Sequence, residues 1–524
     1  MGDSKMLDDK TLGHLRHVAN LSRQMPNDWS DMGPYDPSQE GDDAYRYQLA
    51  YMTYALSLAQ YHHTPAYREL WRDTMARLIG KMMRWEVWGY WELTSRGSKV
   101  LDPDMNALGE GWIDPVIRQN VMYSGHLLMM VGLYDMFYRD GRFDAPGSLT
   151  FQFRPVFRGM GPEDFPYTHG KLAEVIFAEF ERNDFIGCEC EPNGIFVYCN
   201  QFPILGFMHY DHTHGTDLAA RTVPQFKDRW QRRSTMFSKD PHADLPILFR
   251  KRQNDFIYEE SEDNNEGITA VAWASVMHTW APDYVEMVYP RARDQILRRM
   301  EDGTLGVNLA GYFAKYKEYQ RNPGHHATDP MMVGVHIFGT LALAAAEVGD
   351  TETRDGLLAF ADKYLSPTWK NGGFFYPRND DLSSTGYATA LIGNALIAGA
   401  RLCPRDGFRA MYDKPWGEAE LSAPELCEVD FPAVLVREAV HPGDGILLRA
   451  TLAPGRAGAE RQTVAFRGLD LARVVGVEID GVELDLAPDR DEAVVADLAL
   501  RADRAAGVLR LTLMLNRDRC INIR

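Results

Sequence analysis

AYRYQLAYMTYALSLAQY (Ala44–Tyr61) and PAYRELWRDTMARLIGKMMRW (Pro65–Trp85) stand side by side in the chain, separated only by a short link. Apolar side chains return every three or four positions in both, which is the spacing of a helix with one face against a core. The pair predicts an antiparallel helical hairpin. The same pattern recurs downstream and predicts helices at Pro115–Tyr138, Gly170–Arg182, Asn200–His214, Val223–Ser238, Thr269–Thr279, Pro282–Met300, Pro330–Gly349, Thr351–Tyr364 and Thr385–Leu402. Gly, Pro, Asp and Asn are concentrated in the loops between them. About eleven or twelve helices in short-loop pairs is the number that a toroid of helical hairpins requires, although no sharp internal repeat demonstrates closure.

Two departures interrupt the helices. GSLTFQFRPVFR (Gly147–Arg158) alternates apolar and polar residues and predicts a short β excursion. Gly303–Asp329 reads as a long loop of the kind that covers a pocket. No lysine follows Lys414, and the pattern changes there to short β-type runs between Gly, Pro and Asp turns. Strands are expected at Phe431–Val440, Gly445–Ala453, Gln462–Arg467, Arg473–Glu478, Val482–Leu486, Glu492–Leu500 and Gly507–Leu515, with Asp480-Gly481 as a tight hairpin turn. The expected architecture is mainly α, an (α/α)6 barrel over residues 1–414, followed by an antiparallel β-sandwich over residues 415–524 with a packing or assembly role.

The 524 residues carry 74 acidic and 56 basic side chains, a formal net charge of −18. That field repels phosphate backbones, so nucleic acid is not an expected partner. With 45% hydrophobic and 25% charged residues the composition is that of an ordinary globular protein. No apolar run reaches the roughly 18 residues of a membrane span, and Met1–Gln24 is polar rather than built as a secretion signal, so a cytoplasmic location is expected. Six cysteines are too few for a disulfide scaffold.

The phosphate-loop, dinucleotide, HExxH and GxSxG signatures are all missing. The Asp-Asp pairs lack the repeated carboxylate one turn on that a magnesium-dependent diphosphate-ionising cyclase needs, so a neutral substrate is favoured. The informative stretches are VWGYWE (Val87–Glu92), DPVIRQNVMYSGHL (Asp114–Leu127), CEPNGIFVYCN (Cys190–Asn200) and HGTD (His214–Asp217). In order and spacing these residues resemble linalool dehydratase-isomerase, with weaker similarity through Tyr289-Pro290-Arg291, Val333-Gly334-Val335 and Gly373–Tyr376. The resemblance runs from about Trp29 to Leu402 and omits the β-rich end.

The resemblance implies an α/α barrel that acts on tertiary or allylic monoterpene alcohols without metal or organic cofactor, as a ring-like homo-oligomer. Residue by residue, it implies catalytic roles for Asp31, His126, Cys190, Glu191 and Cys199. Substrate contacts would come from Tyr35, Tyr47, Met122, Tyr123 and Phe196, with Trp88 a further aromatic candidate. Elimination of water needs an acid at the departing oxygen and a base at the adjacent carbon, duties that a thiol, an imidazole and a carboxyl can share. Aromatic walls suit developing cation character and keep water out. Ile268 and Ala272 stand where the family carries bulky aromatic residues, which points to a reshaped cavity and a hydrophobic substrate other than linalool.

Other readings compete. A carbohydrate-active α/α barrel would draw on Asp31, Glu92, Asp114 or Glu191. A binding module or pericyclase for hydrophobic metabolites would need only the cavity. Cys188 and Cys190 with His209, His212 and His214 could be read as a zinc site, but only Cys190 fits the family motif, and no metal is expected.

Overall fold

The computed structural model describes residues 6–33, 35–39, 44–258, 266–307, 337–377, 392–455, 460–473 and 475–524. Its first four-fifths is helical with small separate sheets, and the remainder is β-rich. Burial sorts the helices into two kinds. Helix α2 (Tyr45–His62) buries every residue from Tyr45 to Gln60, α6 (Val121–Tyr138) every residue from Val121 to Phe137, and α12 (Ile337–Val348) every residue from Ile337 to Glu347. A helix apolar on all sides must be enclosed by others. By contrast α9 (Leu218–Arg233) buries only the stripe Ala219, Thr222, Phe226 and Trp230, so it lies outside with a charged face to water.

With α8 (Gln201–His214), α10 (Glu266–Met277) and α14 (Ile392–Leu402), the enclosed helices touch in a closed cycle. Contacts run α2 to α6 to α8 to α10 to α12 to α14, and α14 returns to α2. Outside them α3 (Arg72–Met82) lies against α2 and α6, and α7 (His169–Arg182) against α6 and α8. Helix α9 covers α8, α11 (Pro282–Ile296) covers α10, α13 (Thr351–Tyr364) covers α12, and α1 (Asp9–Ser22) covers α14. Glycine sets the closest of these approaches. A Cβ on Gly125 of α6 would stand 2.6 Å from Pro203 Cδ of α8, and one on Gly206 would stand 2.5 Å from Leu128 Cγ. No helix among the described residues is long and apolar enough to cross a membrane.

The expected helix at Pro115–Tyr138 begins only at Val121, because the Asp114 carboxylate accepts from the Val116 and Ile117 amides and Asn120 adopts a left-handed φ of 56°. Pro282–Met300 ends at Ile296 and turns into strand β6 (Leu297–Arg299), paired with β7 (Leu305–Val307). The expected long loop from Gly303 lies outside the described residues beyond Val307, as do the starts of the helices expected at Pro330 and Thr385. The β excursion is present as β1 (Leu149–Phe153) paired with β2 (Glu163–Tyr167). Helix α1 was not anticipated. Neither was the three-stranded sheet of β3 (Gly194–Phe196), β4 (Pro246–Arg250) and β5 (Asp255–Tyr258), nor the hairpin of β8 (Thr368–Lys370) and β9 (Gly373–Phe375).

After α15 (Gly407–Asp413) and α16 (Glu418–Ser422) the described residues form ten strands where seven were expected. One sheet runs β10 (Glu425–Glu428), β13 (Glu460–Arg467), β18 (Val508–Leu515), β17 (Leu498–Asp503), β16 (Glu492–Val495). The other runs β11 (Val434–Val440), β12 (Leu448–Pro454), β19 (Arg519–Ile523), β14 (Val475–Ile479), β15 (Val482–Leu486). The expected single strand Glu492–Leu500 is two, β16 and β17, because the chain turns at Ala496 with φ 55°. Asp480 (φ 50°) and Gly481 (φ 86°) make the anticipated turn between β14 and β15. Alternate residues of both sheets meet in one apolar cluster, which also takes in Ala66 and Tyr67 from the link after α2. The Ala66 amide donates to Ala439 O at 2.8 Å, and its carbonyl accepts from the Leu426 amide at 2.8 Å. The buried Glu425 carboxylate pairs with Arg68 at 2.7 Å and also with Arg467.

Candidate active site

The loop Cys188–Asn200 is drawn together by Asn200, whose side chain is wholly buried. Its Oδ1 accepts from the Cys188 amide at 2.7 Å, while Nδ2 donates to the carbonyls of Cys188 at 3.1 Å and Phe196 at 2.8 Å. Within the loop the Cys190 amide donates to Gly194 O at 2.8 Å and Asn193 takes a left-handed φ of 78°, reversing the chain. The start of α6 is tied to the same loop. The Asn120 amide donates to Cys190 O at 3.0 Å, and the Tyr90 hydroxyl donates to Asn120 Oδ1 at 2.7 Å.

This folding brings the two motif cysteines side by side as free, buried thiols. The Cys190 thiol also lies 3.3 Å from Glu191 Oε1. Burial pushes Cys190 far above the usual thiol range, and its contacts with Cys199 and Glu191 push it the same way. Burial and the neighbouring Glu191 raise Cys199 too, while the charge of Arg46 pulls it back.

His126 is completely buried on α6. Its Nδ1 meets the Tyr54 hydroxyl at 2.7 Å, and its Nε2 has no hydrogen-bond partner among the described residues. Phe202 lies over the ring with centroids 3.7 Å apart, and Tyr47, Tyr51 and Tyr54 stand at 5.7, 5.7 and 5.9 Å. Burial, then the nearby Arg46 cation, hold the imidazole well below its ordinary pKa, so it is neutral.

Arg46 links the parts. It is buried, donates to Gln39 O at 2.5 Å and to the Tyr47 hydroxyl at 3.0 Å, and lies over the rings of Tyr47 (4.3 Å) and Tyr90 (4.4 Å). Among the described residues no carboxylate pairs with it. Burial disfavours its charge, but Tyr47, Tyr90 and Cys190 more than compensate, and its pKa is raised. The imidazole and both thiols feel this one guanidinium.

Of the residues expected from the sequence, His126, Cys190, Glu191, Cys199 and Tyr47 fall in this cluster. Met122 is buried one turn before His126 on α6, and Phe196 is half-buried on β3. Trp88 and Tyr123 are buried, but their polar ends are taken by the carbonyls of Met83 (3.1 Å) and Met82 (2.6 Å), and both rings pack on Phe151. These contacts fasten α6 to its outer neighbours. Tyr35 is 46% exposed and lies beside Tyr45. Asp31 is not brought to the thiols within the chain; its carboxylate pairs with Lys370 of β8 at 2.7 and 2.8 Å. The Ile268 side chain lies outside the described residues, and Ala272 is half-buried on α10.

Sequence reasoning missed Arg46, Tyr51, Tyr54, Tyr90 and Phe202. The signal for two of them was available, since positions 47, 51 and 54 lie on one helical face. Tyr51 reaches the hydroxyl of Tyr198, the ring beside Cys199 in sequence. The carboxylates offered for sugar chemistry do not converge. Asp114 caps the Val116 turn and accepts from Tyr167, Glu92 pairs with Arg158 at 2.9 Å, Asp31 pairs with Lys370, and only Glu191 stands at the thiols. The zinc reading through Cys188 fails as well, because Cys188 donates to Ile176 O at 3.5 Å and no metal-competent group among the described residues contains a cysteine.

The profile of the family described as linalool dehydratase/isomerase matches residues 46–382, more than half of the chain. The chain belongs to that family. Among solved structures it is similar to a GH127 β-L-arabinofuranosidase from Geobacillus stearothermophilus T6, at 13% identity and a TM-score of 0.29, over 100% of this chain and 76% of that one; a likeness so low carries no argument.

Proposed function

We propose that this member of the linalool dehydratase/isomerase family is a cofactor-independent lyase that removes water from, or moves the hydroxyl of, a tertiary or allylic terpenoid alcohol or a related hydrophobic intermediate. The observation that carries the reading is the adjacent buried pair Cys190 and Cys199, with Glu191 3.3 Å from Cys190, in a cluster with a neutral His126 whose Nε2 is unpartnered among the described residues. In this scheme His126 Nε2 holds the substrate hydroxyl, and Cys190, relayed by Glu191, gives the proton that leaves with the oxygen. The C–O bond breaks, Cys199, entering as the minor thiolate form that the Arg46 charge favours, takes the proton from the adjacent carbon, and the C–H pair becomes the new double bond. Transfer between the touching sulfurs restores the starting protonation. The rings of Tyr47, Tyr51, Phe196 and Phe202 shield the developing cation from water.

Several parts of the reading go with it. The closed helix cycle supports an (α/α)6 barrel over residues 1–414, with residues 415–524 as a sandwich domain. Asp31 acts only if a second copy of the chain delivers it, which makes a homo-oligomer part of the proposal. A location in the cytoplasm follows from the sequence expectation. The non-convergence of the carboxylates argues against a glycoside hydrolase.

The test is incubation with tertiary and allylic terpenoid alcohols in deuterium oxide. Product alkene or rearranged alcohol, with deuterium on the carbon next to the reacting centre after reversal, supports the reading. Binding without turnover or exchange across the panel would leave a carrier and sink it.

A further inference from the structure

We propose that Asp135, His169 and His214 form a structural site for a divalent transition metal of the zinc class. Asp135 lies near the end of α6, His169 is the first residue of α7, and His214 is the last of α8. One carboxylate oxygen, Asp135 Oδ2, stands 3.7 Å from Nδ1 of His169 and 3.8 Å from Nδ1 of His214, and the three ligand atoms lie within 4.8 Å of one another. Zinc bonds of about 2.0–2.2 Å place tetrahedral ligands roughly 3.4 Å apart, so the side chains need only contract a little around an ion.

Two independent observations point to a ligand. First, His169 is wholly buried, yet among the described residues neither ring nitrogen has a hydrogen-bond partner, since 3.7 Å to Asp135 is beyond hydrogen-bond range. An imidazole so placed costs about 1–3 kcal/mol unless something fills its lone pair. Second, His214 uses its other nitrogen, Nε2, on Asp144 Oδ1 at 3.1 Å. That outer carboxylate fixes Nδ1 as the face turned to Asp135, in the arrangement of a metal-bound histidine with its supporting acid. Acceptors then converge on one point. The Thr213 hydroxyl, hydrogen-bonded to the same Nδ1 at 2.8 Å, holds that face in place and would give way to an ion. The Tyr210 ring, stacked on His214 at 4.1 Å and edge-on to His169 at 4.7 Å, walls the site.

The second convergent group, His278, Glu347 and Asp406, does not offer the same opening. Glu347 already accepts from His278 at 3.0 Å, from the Phe408 and Arg409 amides and from Cys403. Along α6, Asp135 lies about 14 Å from His126 at the helical rise, so the metal would clamp three helix ends and stay out of the thiol chemistry. The inference departs from the sequence expectation of no metal and does not rest on the proposed reaction.

The test is titration of the untagged, chelator-stripped full chain with cobalt(II) and zinc. One equivalent of cobalt should bind with the visible absorption of a tetrahedral nitrogen and oxygen site, zinc should displace it, and zinc should raise the thermal midpoint. Asp135→Asn and His169→Gln should abolish binding, and Asp144→Asn should weaken it about 10- to 100-fold. His212→Gln, which alters a neighbouring histidine, should leave it unchanged. Absence of stoichiometric binding by the wild type overturns the site, as does unchanged affinity in folded Asp135→Asn or His169→Gln. Should both of those fail to fold, unchanged affinity in Asp144→Asn overturns it.

Discussion

The Cys190 thiol lies 3.3 Å from Glu191 Oε1, which puts a carboxylate beside one of the two motif sulfurs. In the proposed scheme Cys190, relayed by that carboxylate, is the acid and Cys199 the base. Cys199→Ser should abolish hydrogen exchange at carbon, with turnover falling by about 10²- to 10⁴-fold, the usual worth of a positioned acid or base. Cys190→Ser retains a hydroxyl donor beside Glu191 and should lose less. Equal losses, measured by deuterium uptake and product formation, would contradict the assignment.

Arg46 supplies the charge that favours a thiolate at Cys199. Arg46→Met should move the Cys199 pKa upward, because the cation that lowers it is gone. Ultraviolet thiolate absorbance against pH reads this directly, and Cys427 and Cys520 can be changed to serine to clear the background. An unmoved titration would remove Arg46 from the site.

His126 is held neutral by burial and by Arg46, so imidazole protonation should leave no inflection near 6.5 in the pH dependence of turnover. Tyr54→Phe takes away the partner of Nδ1 and should cost about 0.5–1.5 kcal/mol of transition-state stabilisation, a few-fold to roughly tenfold. A histidine-like inflection in the wild type would contradict a neutral His126.

Acid should destabilise the chain early. Burial lowers His17 and His62 to about 4 and His209 to about 3, and lowers His14 and His126 as well. Below about 6.5 the unfolded chain takes up protons that the folded chain refuses, so stability falls with pH from there down to the folded values. His278, raised by Glu347 although burial opposes it, works the other way and loses its contribution as pH rises. The lowered histidines outnumber it. Thermal midpoints should drop between pH 6.5 and 4.5, and His209→Gln should flatten the decline.

Gly125 permits the approach of α6 to α8 that seats His126 under Phe202. Gly125→Ala places a methyl 2.6 Å from Pro203 Cδ and should cost about 1–3 kcal/mol by overpacking, read from chemical denaturation. Unchanged stability would mean that the two helices separate freely.

What could be read from the sequence follows from what periodicity encodes. The helices were legible because apolar side chains return every three or four positions, but that spacing predicted one covered face for α2, which the fold encloses on all sides. The Cys190 to Asn200 motif was legible as a unit because local hydrogen bonds, above all those of Asn200, close it. Asp31, Trp88 and Tyr123 were less so, since helical phase gives a direction but not a neighbour. Arg46 escaped notice because a charged residue in an amphipathic pattern reads as solvated, and only the tertiary fold buries it against Tyr47 and Tyr90. The third sheet strand at β3 was hidden by its length of three residues.

The most direct measurement is a crystal structure with a saturated tertiary alcohol that cannot eliminate water. The account predicts its oxygen at hydrogen-bond distance from His126 Nε2 and its adjacent carbon against Cys199 Sγ. An alcohol bound elsewhere, with both sulfurs still sealed against each other, would contradict it.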